Sequence, residues 1–227
     1  MYQYLLFDAD NTLLDFDAAE KEALQGALAD TPIGCSSRTV QLYHEINAQE
    51  WKRMERGETT RERLQTERFI KLYAALGFTL DERGAEDVAA AYLQRLSQQG
   101  TLVDGALETV AALSKKYALY IVTNATAWVQ KRRLAHTPLV PYFRKVYISH
   151  DMGCAKPEQI FFEKVLQDIG DMRKEAYLMI GDSLTSDIAG ARGAGLDSCY
   201  FDPLGRGCGK ETPKWTIHAL PELLHLL

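Results

Sequence analysis

Residues 2–8 hold a short apolar run, Tyr4-Leu5-Leu6-Phe7, that stops on Asp8. A run this short, followed by a polar turn, reads as a buried strand. From about 17 to 100 the apolar period becomes helical. Phe69, Leu72, Tyr73 and Leu76 fall on one stripe, and Gly77 stops it. Val88, Ala89, Tyr92, Leu93 and Leu96 form a second stripe that ends at Gly100. Beyond about 101 the pattern alternates. A helix near 105–116 leads into strand 118–123, and after another helix come strand 145–149 and a helix near 158–169. Strand 176–180, a helix near 186–194, strand 197–201, the short Thr216-Ile217 and a helix near 220–227 complete the chain. Strands alternating with helices predict an α/β core with a doubly wound parallel sheet. The expected division is a core of residues 1–16 and 101–227, with an all-helical insertion at 17–100 sitting over the sheet edge.

Composition changes this picture little. The chain has 227 residues, 46% apolar and 25% charged, which suits one large domain or a domain carrying an inserted subdomain. A net charge of −5 argues against a nucleic-acid polymer as partner. Cys35, Cys154, Cys199 and Cys208 form no Cys-x-x-Cys pair, so neither a zinc site nor a disulfide framework is expected, and a reducing cytoplasm is the preferred location. The N-terminal apolar run is too short for a signal peptide, and no stretch approaches the ~20 apolar residues of a membrane span. Charges crowd residues 50–71, where Lys52, Arg53, Arg56, Arg61, Arg63 and Arg68 alternate with Glu50, Glu55, Glu58, Glu62 and Glu67. That run reads as a solvated helix face with pairs such as Glu67–Lys71.

The strand ends carry the chemistry. In an open α/β sheet, ligands bind beyond the carboxyl ends of the strands. The first strand ends in Asp8-Ala-Asp10-Asn-Thr12, the second in Thr123-Asn124, and the loop after the third carries Lys156-Pro157. The fourth ends in Gly181-Asp182 with Asp187 five residues further on. Residues at i and i+2 of an extended chain point to the same side, so Asp8 and Asp10 serve one place. Singly, Thr123-Asn124 reads as a helix cap, Lys156-Pro157 as an exposed loop, and the two later aspartates as caps of the next helix. Four such groups in chain order fit a phosphate held against a hard cation.

In these motifs the chain resembles the haloacid dehalogenase superfamily, across essentially its full length. The resemblance implies a Rossmann-like core with a helical cap, and a Mg²⁺-dependent phosphatase that works through an aspartyl-phosphate. By that reading Asp8 is the nucleophile and Asp10 the acid and base. Thr123 and Asn124 bind the phosphoryl oxygens, and Lys156 neutralises their charge. The metal is held by Asp8, Asp182 and the Asp10 backbone carbonyl, with Thr12 and Asp187 in support. Dehalogenases of the superfamily lack the second Asp of the first motif, so Asp10 favours a phosphatase.

A narrower resemblance is to the YjjG-type pyrimidine 5′-nucleotidase family. It rests on Phe7 to Phe16, on Ile46-Asn47, Trp51, Glu55-Arg-Gly57, Thr60-Arg61 and Arg68-Phe69, and on the tail Gly193-Ala-Gly-Leu196 and Trp215-Thr-Ile217. It implies that pyrimidine nucleoside monophosphates are the substrates, and Phe16, Asn47, Trp51 and Arg61 are the candidates for reading them. Each has a plainer reading as well: Phe16 as a packed hinge, Trp51 as cap core, Asn47 and Arg61 as exposed helix polarity. A sugar-phosphate or phosphoglycolate-type phosphatase is the alternative enzyme, and a phosphate-binding scaffold the alternative outside enzymes. A monomer or weak homo-oligomer is expected.

Overall fold

Six parallel strands form one sheet: β1 (Tyr4–Phe7), β2 (Ala118–Thr123), β3 (Phe143–Ile148), β4 (Tyr177–Gly181), β5 (Asp197–Phe201) and β6 (Trp215–Ile217). Their spatial order is β3-β2-β1-β4-β5-β6. The structure, a computed structural model, describes all 227 residues. β1 lies at the centre, with Leu6 level with Tyr120 on one side and Met179 on the other. Its unbroken apolar sequence follows from burial on both faces. Leu5 and Phe7 join Leu119, Ile121, Leu178 and Ile180 in one core layer. Leu6 joins Val122 and Met179 in the other. The first layer is covered by α5 (Ala106–Leu113) and α6 (Ala127–Ala135), the second by α8 (Gln159–Ile169) and α9 (Ala189–Ala194). A four-residue helix, α7 (Ser149–Met152), follows β3, and α10 (Leu223–Leu226) lies near the C-terminus.

Sequence and structure differ at several boundaries. α9 starts only at Ala189, because Leu184–Ile188 forms a wider π-helical turn. Ser183 accepts from the Ser186 amide at 3.2 Å and fixes the start of that turn. β3 begins at Phe143, directly after a 3₁₀ turn at Val140–Tyr142. Near the C-terminus Leu220–Glu222 forms a 3₁₀ turn with Pro221 at its second position, and Glu222 accepts from the amides of His218 and Ala219.

The chain divides into two units: Met1–Phe16 with Gly100–Leu227, and Asp17–Gln99. The second unit is all helical. It contains α1 (Phe16–Leu28) from Asp17 onward, α2 (Ser37–Glu55), α3 (Arg61–Ala75) and α4 (Glu82–Leu96). Ser36, Thr60 and Asp81 cap α2, α3 and α4 by accepting a backbone N–H from the third residue on. The core of this unit is built on Tyr43, Phe69 and Tyr92, whose ring centroids lie 5.4–5.7 Å apart. The Arg68 guanidinium sits over all three rings, 4.7 Å from that of Tyr92. Arg68 also donates to Asn47 at 3.0 Å, and Asn47 donates to Glu20 at 2.7 Å.

This core corrects the expectation of a wholly solvated charged face. Glu50 and Arg68 are buried. Glu67 pairs with Arg63 at 2.9 Å and Arg53 at 3.3 Å rather than with Lys71, and Lys71 reaches Glu50 on α2. Packing of α2 on α3 offers Lys71 a buried partner, which outweighs a neighbour on its own solvated helix face.

Candidate active site

The turn after β1 is set by its backbone. The amides of Leu13 and Leu14 both bond to the Ala9 carbonyl, at 2.9 and 2.8 Å. Asn11 takes a positive φ of 58°, a conformation that Asn tolerates, and its side chain accepts from the Phe16 amide at 3.0 Å. Asp8 remains in the sheet ladder, its amide bonded to the Ile180 carbonyl at 2.8 Å. The strand order reverses direction between β1 and β4, so Asp8 and Asp182 occupy the switch point where ligands of such sheets bind. Thr12 is buried, with Oγ1 3.5 Å from an Asp182 oxygen.

Lys156 ties the strand ends together. Its Nζ donates to Asp8 Oδ1 at 2.6 Å, Asp187 Oδ1 at 2.7 Å and the Val122 carbonyl at 2.8 Å. All three ammonium protons are thus used. Asn124 grips the same loop from the end of β2. Its Oδ1 accepts from the Lys156 amide at 3.0 Å, and its Nδ2 donates to the Lys156 carbonyl at 2.6 Å. The Lys156–Pro157 peptide is cis. Asp187 is fully buried, and its second oxygen accepts from the Ser183 amide at 3.1 Å. Gly181 is required here, since a Cβ would lie 2.2 Å from Asp187 Oδ2. Thr123 closes β2, with 1% of its surface exposed.

The electrostatics are those of an acidic pocket with too few cations. Burial pushes the Asp8 carboxyl up to about 7; Lys156 pulls against this, and Asp187 and Asp10 add to it. Burial also lifts Asp182 well above the usual carboxylate range, with Asp8 and Asp187 adding repulsion. Burial alone would lower Lys156, but Asp187 and Asp8 outweigh it and hold the ammonium above its ordinary value. Asp8, Asp182 and Asp187 each place an oxygen within 4.8 Å of the others. A hard divalent cation fits this all-oxygen, over-anionic cluster. Asp187 already gives both oxygens to Lys156 and Ser183, which leaves Asp8 and Asp182 as the carboxylates able to hold the ion.

The model of the haloacid dehalogenase-like hydrolases matches residues 2–195. The chain belongs to this family. Over its whole length it is 39% identical to the pyrimidine 5′-nucleotidase PynA of Streptococcus pneumoniae, covering 95% of that protein. It is 30% identical to the pyrimidine 5′-nucleotidase YjjG of Escherichia coli, covering all of this chain and 98% of that one. The structure of the putative hydrolase YfnB from Bacillus subtilis, bound to magnesium, superposes with a TM-score of 0.92 at 36% identity, covering 100% of this chain and 98% of the other.

In this haloacid dehalogenase-like hydrolase the specificity candidates fall in different surroundings. Asn47 lies inside the helical unit's buried network, its side chain shared between Glu20 and Arg68. Trp51 is half-buried under the Arg61 guanidinium, 5.6 Å from the ring centroid, and burial pulls Arg61 below its ordinary value. Phe16 stays with the sheet unit, where the Arg133 guanidinium lies 5.4 Å from its ring. Arg133 is a site residue that the motifs do not point to. It is buried on α6 and binds Asp10 Oδ1. The available signal was Gln130 and Arg133 three residues apart, one helix face beyond Thr123-Asn124.

Proposed function

We propose that this hydrolase is a Mg²⁺-dependent phosphatase acting on pyrimidine nucleoside 5′-monophosphates in the cytoplasm. The observation that carries the chemistry is the Lys156 ammonium bonded to Asp8, with Asp182 beside it and Asp10 two residues further along the chain. Full-length likeness to two pyrimidine 5′-nucleotidases supports the substrate.

In this reading Asp8 attacks phosphorus while the Asp10 carboxyl gives its proton to the departing oxygen. The ionised Asp10 then takes a proton from the water that displaces Asp8 from phosphorus. Lys156 holds the Asp8 carboxylate in place and offsets negative charge as the phosphoryl group transfers. Asn124 keeps the lysine loop in register, and Thr123 with the following turn faces the phosphoryl oxygens at the start of α6. Asp8, Asp182 and the Asp10 backbone carbonyl would hold Mg²⁺, which when bound supplies further positive charge to the transferring phosphoryl group. Asp187 acts through Lys156. The helical unit is the cap, and substrate selection is assigned to it because the charged groups of the reaction all belong to the other unit.

The test is a panel of nucleoside monophosphates, sugar phosphates and phosphoglycolate, compared by kcat/KM with Mg²⁺. Pyrimidine monophosphates should lead. If phosphoglycolate or a hexose phosphate outruns every nucleotide, the phosphatase chemistry stands and the nucleotidase reading falls.

A further inference from the structure

Arg133 has the largest side chain among those with almost no exposure, and its partner Gln130 is equally buried. Burying a guanidinium is costly unless a carboxylate answers it, and the carboxylate here is Asp10, 123 residues away in sequence. Nη1 binds Asp10 Oδ1 and also donates to Gln130 Oε1 at 3.2 Å. The guanidinium lies over the Phe16 ring, 5.4 Å from its centroid, so one face of the fork is packed as well. Asp10 itself keeps 27% of its side chain exposed, so its carboxylate bridges the buried arginine and the open site.

We propose that Arg133 is the positioning residue for Asp10: it fixes the carboxyl rotamer and determines which oxygen delivers the proton to the leaving group. A guanidinium has only donors, so the oxygen against it, Oδ1, has no room for a proton. The transferable proton is therefore confined to Oδ2. As the phosphorus–oxygen ester bond breaks, its electron pair stays with the departing oxygen, and that oxygen takes the proton from Oδ2. Asp10 is left ionised, with Oδ1 still bound to Arg133. The water that next attacks phosphorus returns a proton to Oδ2 as the bond to Asp8 breaks. Gln130 holds the shared Nη1 in line. The inference rests on the phosphatase reading above and adds to it the residue that aims the acid.

Leaving groups separate positioning from general structural damage. p-Nitrophenolate departs with little protonation, whereas an alkoxide does not. We compare p-nitrophenyl phosphate with benzyl phosphate, a substrate of similar size, using kcat/KM, which reports steps only through transfer to Asp8. Asp10→Asn serves as the reference, and melting curves with Mg²⁺ check folding. Arg133→Met should lower kcat/KM for benzyl phosphate about a hundredfold, within the range of a general acid, and for p-nitrophenyl phosphate less than about fivefold. Gln130→Met, which leaves the ion pair in place, should shift the ratio the same way by about three- to tenfold, and it decides the matter if Arg133→Met does not fold. Equal losses on both esters, or no loss on either, overturn the inference while an active wild type keeps the phosphatase reading. A wild type that releases phosphate from neither ester overturns both.

Discussion

Asp8 meets two opposing demands. As the proposed nucleophile it must be ionised, yet burial and its acidic neighbours push its carboxyl up to about 7. An unfolded chain would release that proton near pH 4. Between these values the metal-free folded chain binds a proton that the unfolded chain does not, so unfolding releases it and stability falls as pH rises. The contribution is fully present below about pH 4 and lost as pH passes about 7. The raised Asp182 acts in the same direction. We expect the metal-free melting temperature to decline from pH 5 to pH 8, with the decline flattened in Asp8→Asn. Mg²⁺ should raise it most at the alkaline end, where the carboxylates are ionised. Identical slopes for wild type and Asp8→Asn would show that this carboxyl is not the group involved. The same variant tests the chemistry. An amide neither attacks phosphorus nor holds the metal well, so phosphate release should fall at least about a thousandfold, and near-normal turnover in excess Mg²⁺ would remove Asp8 from its role.

Among the elements, the end of β4 is the most tightly constrained. Gly181 leaves room for Asp187, which is fully buried and fixed by Lys156 and Ser183. Gly181→Ala would force a Cβ against that carboxylate, costing about 1–3 kcal/mol by overpacking and breaking the Lys156 alignment. We expect a lower melting temperature and loss of activity on every substrate. Gly193 in α9 is the control, because a Cβ there meets nothing within 4 Å. Gly193→Ala should be neutral or stabilising by up to about 1 kcal/mol. Equal effects at the two glycines in thermal denaturation would refute the packing argument. What the sequence disclosed follows the same physics. The strand ends were legible because apolar runs and Asp8-x-Asp10 are local patterns, and sheet topology gathers strand ends at one edge. Arg133 was not, since nothing in a helix registers a partner 123 residues away. Arg68 and Glu50 were misread because alternating charge looks solvated, while their burial depends on how α2 meets α3. The π-helical turn before α9 goes with the Ser183–Asp187 bond and with Asp187 reaching Lys156, which periodicity does not encode.

At the scale of the whole molecule, the residues of the proposed chemistry lie outside the helical unit. Asp8, Asp10, Thr123, Asn124, Arg133, Lys156, Asp182 and Asp187 all belong to Met1–Phe16 or Gly100–Leu227. Asp17–Gln99 contributes none of them and is built around its own aromatic core. No helix in either unit is long and apolar enough to cross a membrane. Phosphate esters of different metabolites share one reacting group, so a choice among them must be made on the part remote from phosphorus. Asn47 is committed to Glu20 and Arg68, which leaves the Arg61–Trp51 pair as the better candidate within the helical unit. A flat indole under a guanidinium is suited to stacking on a nucleobase, and in the nucleotidase reading this pair is what tells one ring from two. We therefore expect Trp51→Leu and Arg61→Met to reduce the kcat/KM ratio of uridine to adenosine 5′-monophosphate about ten- to hundredfold. Turnover of p-nitrophenyl phosphate should stay within about threefold in both variants, because it offers no base to read. Asp8→Asn and Gly181→Ala should lose all three substrates together. If the helical variants lose p-nitrophenyl phosphate as heavily as the nucleotides, the pair is structural. If they lose nothing and the ratio holds, selection lies on other residues.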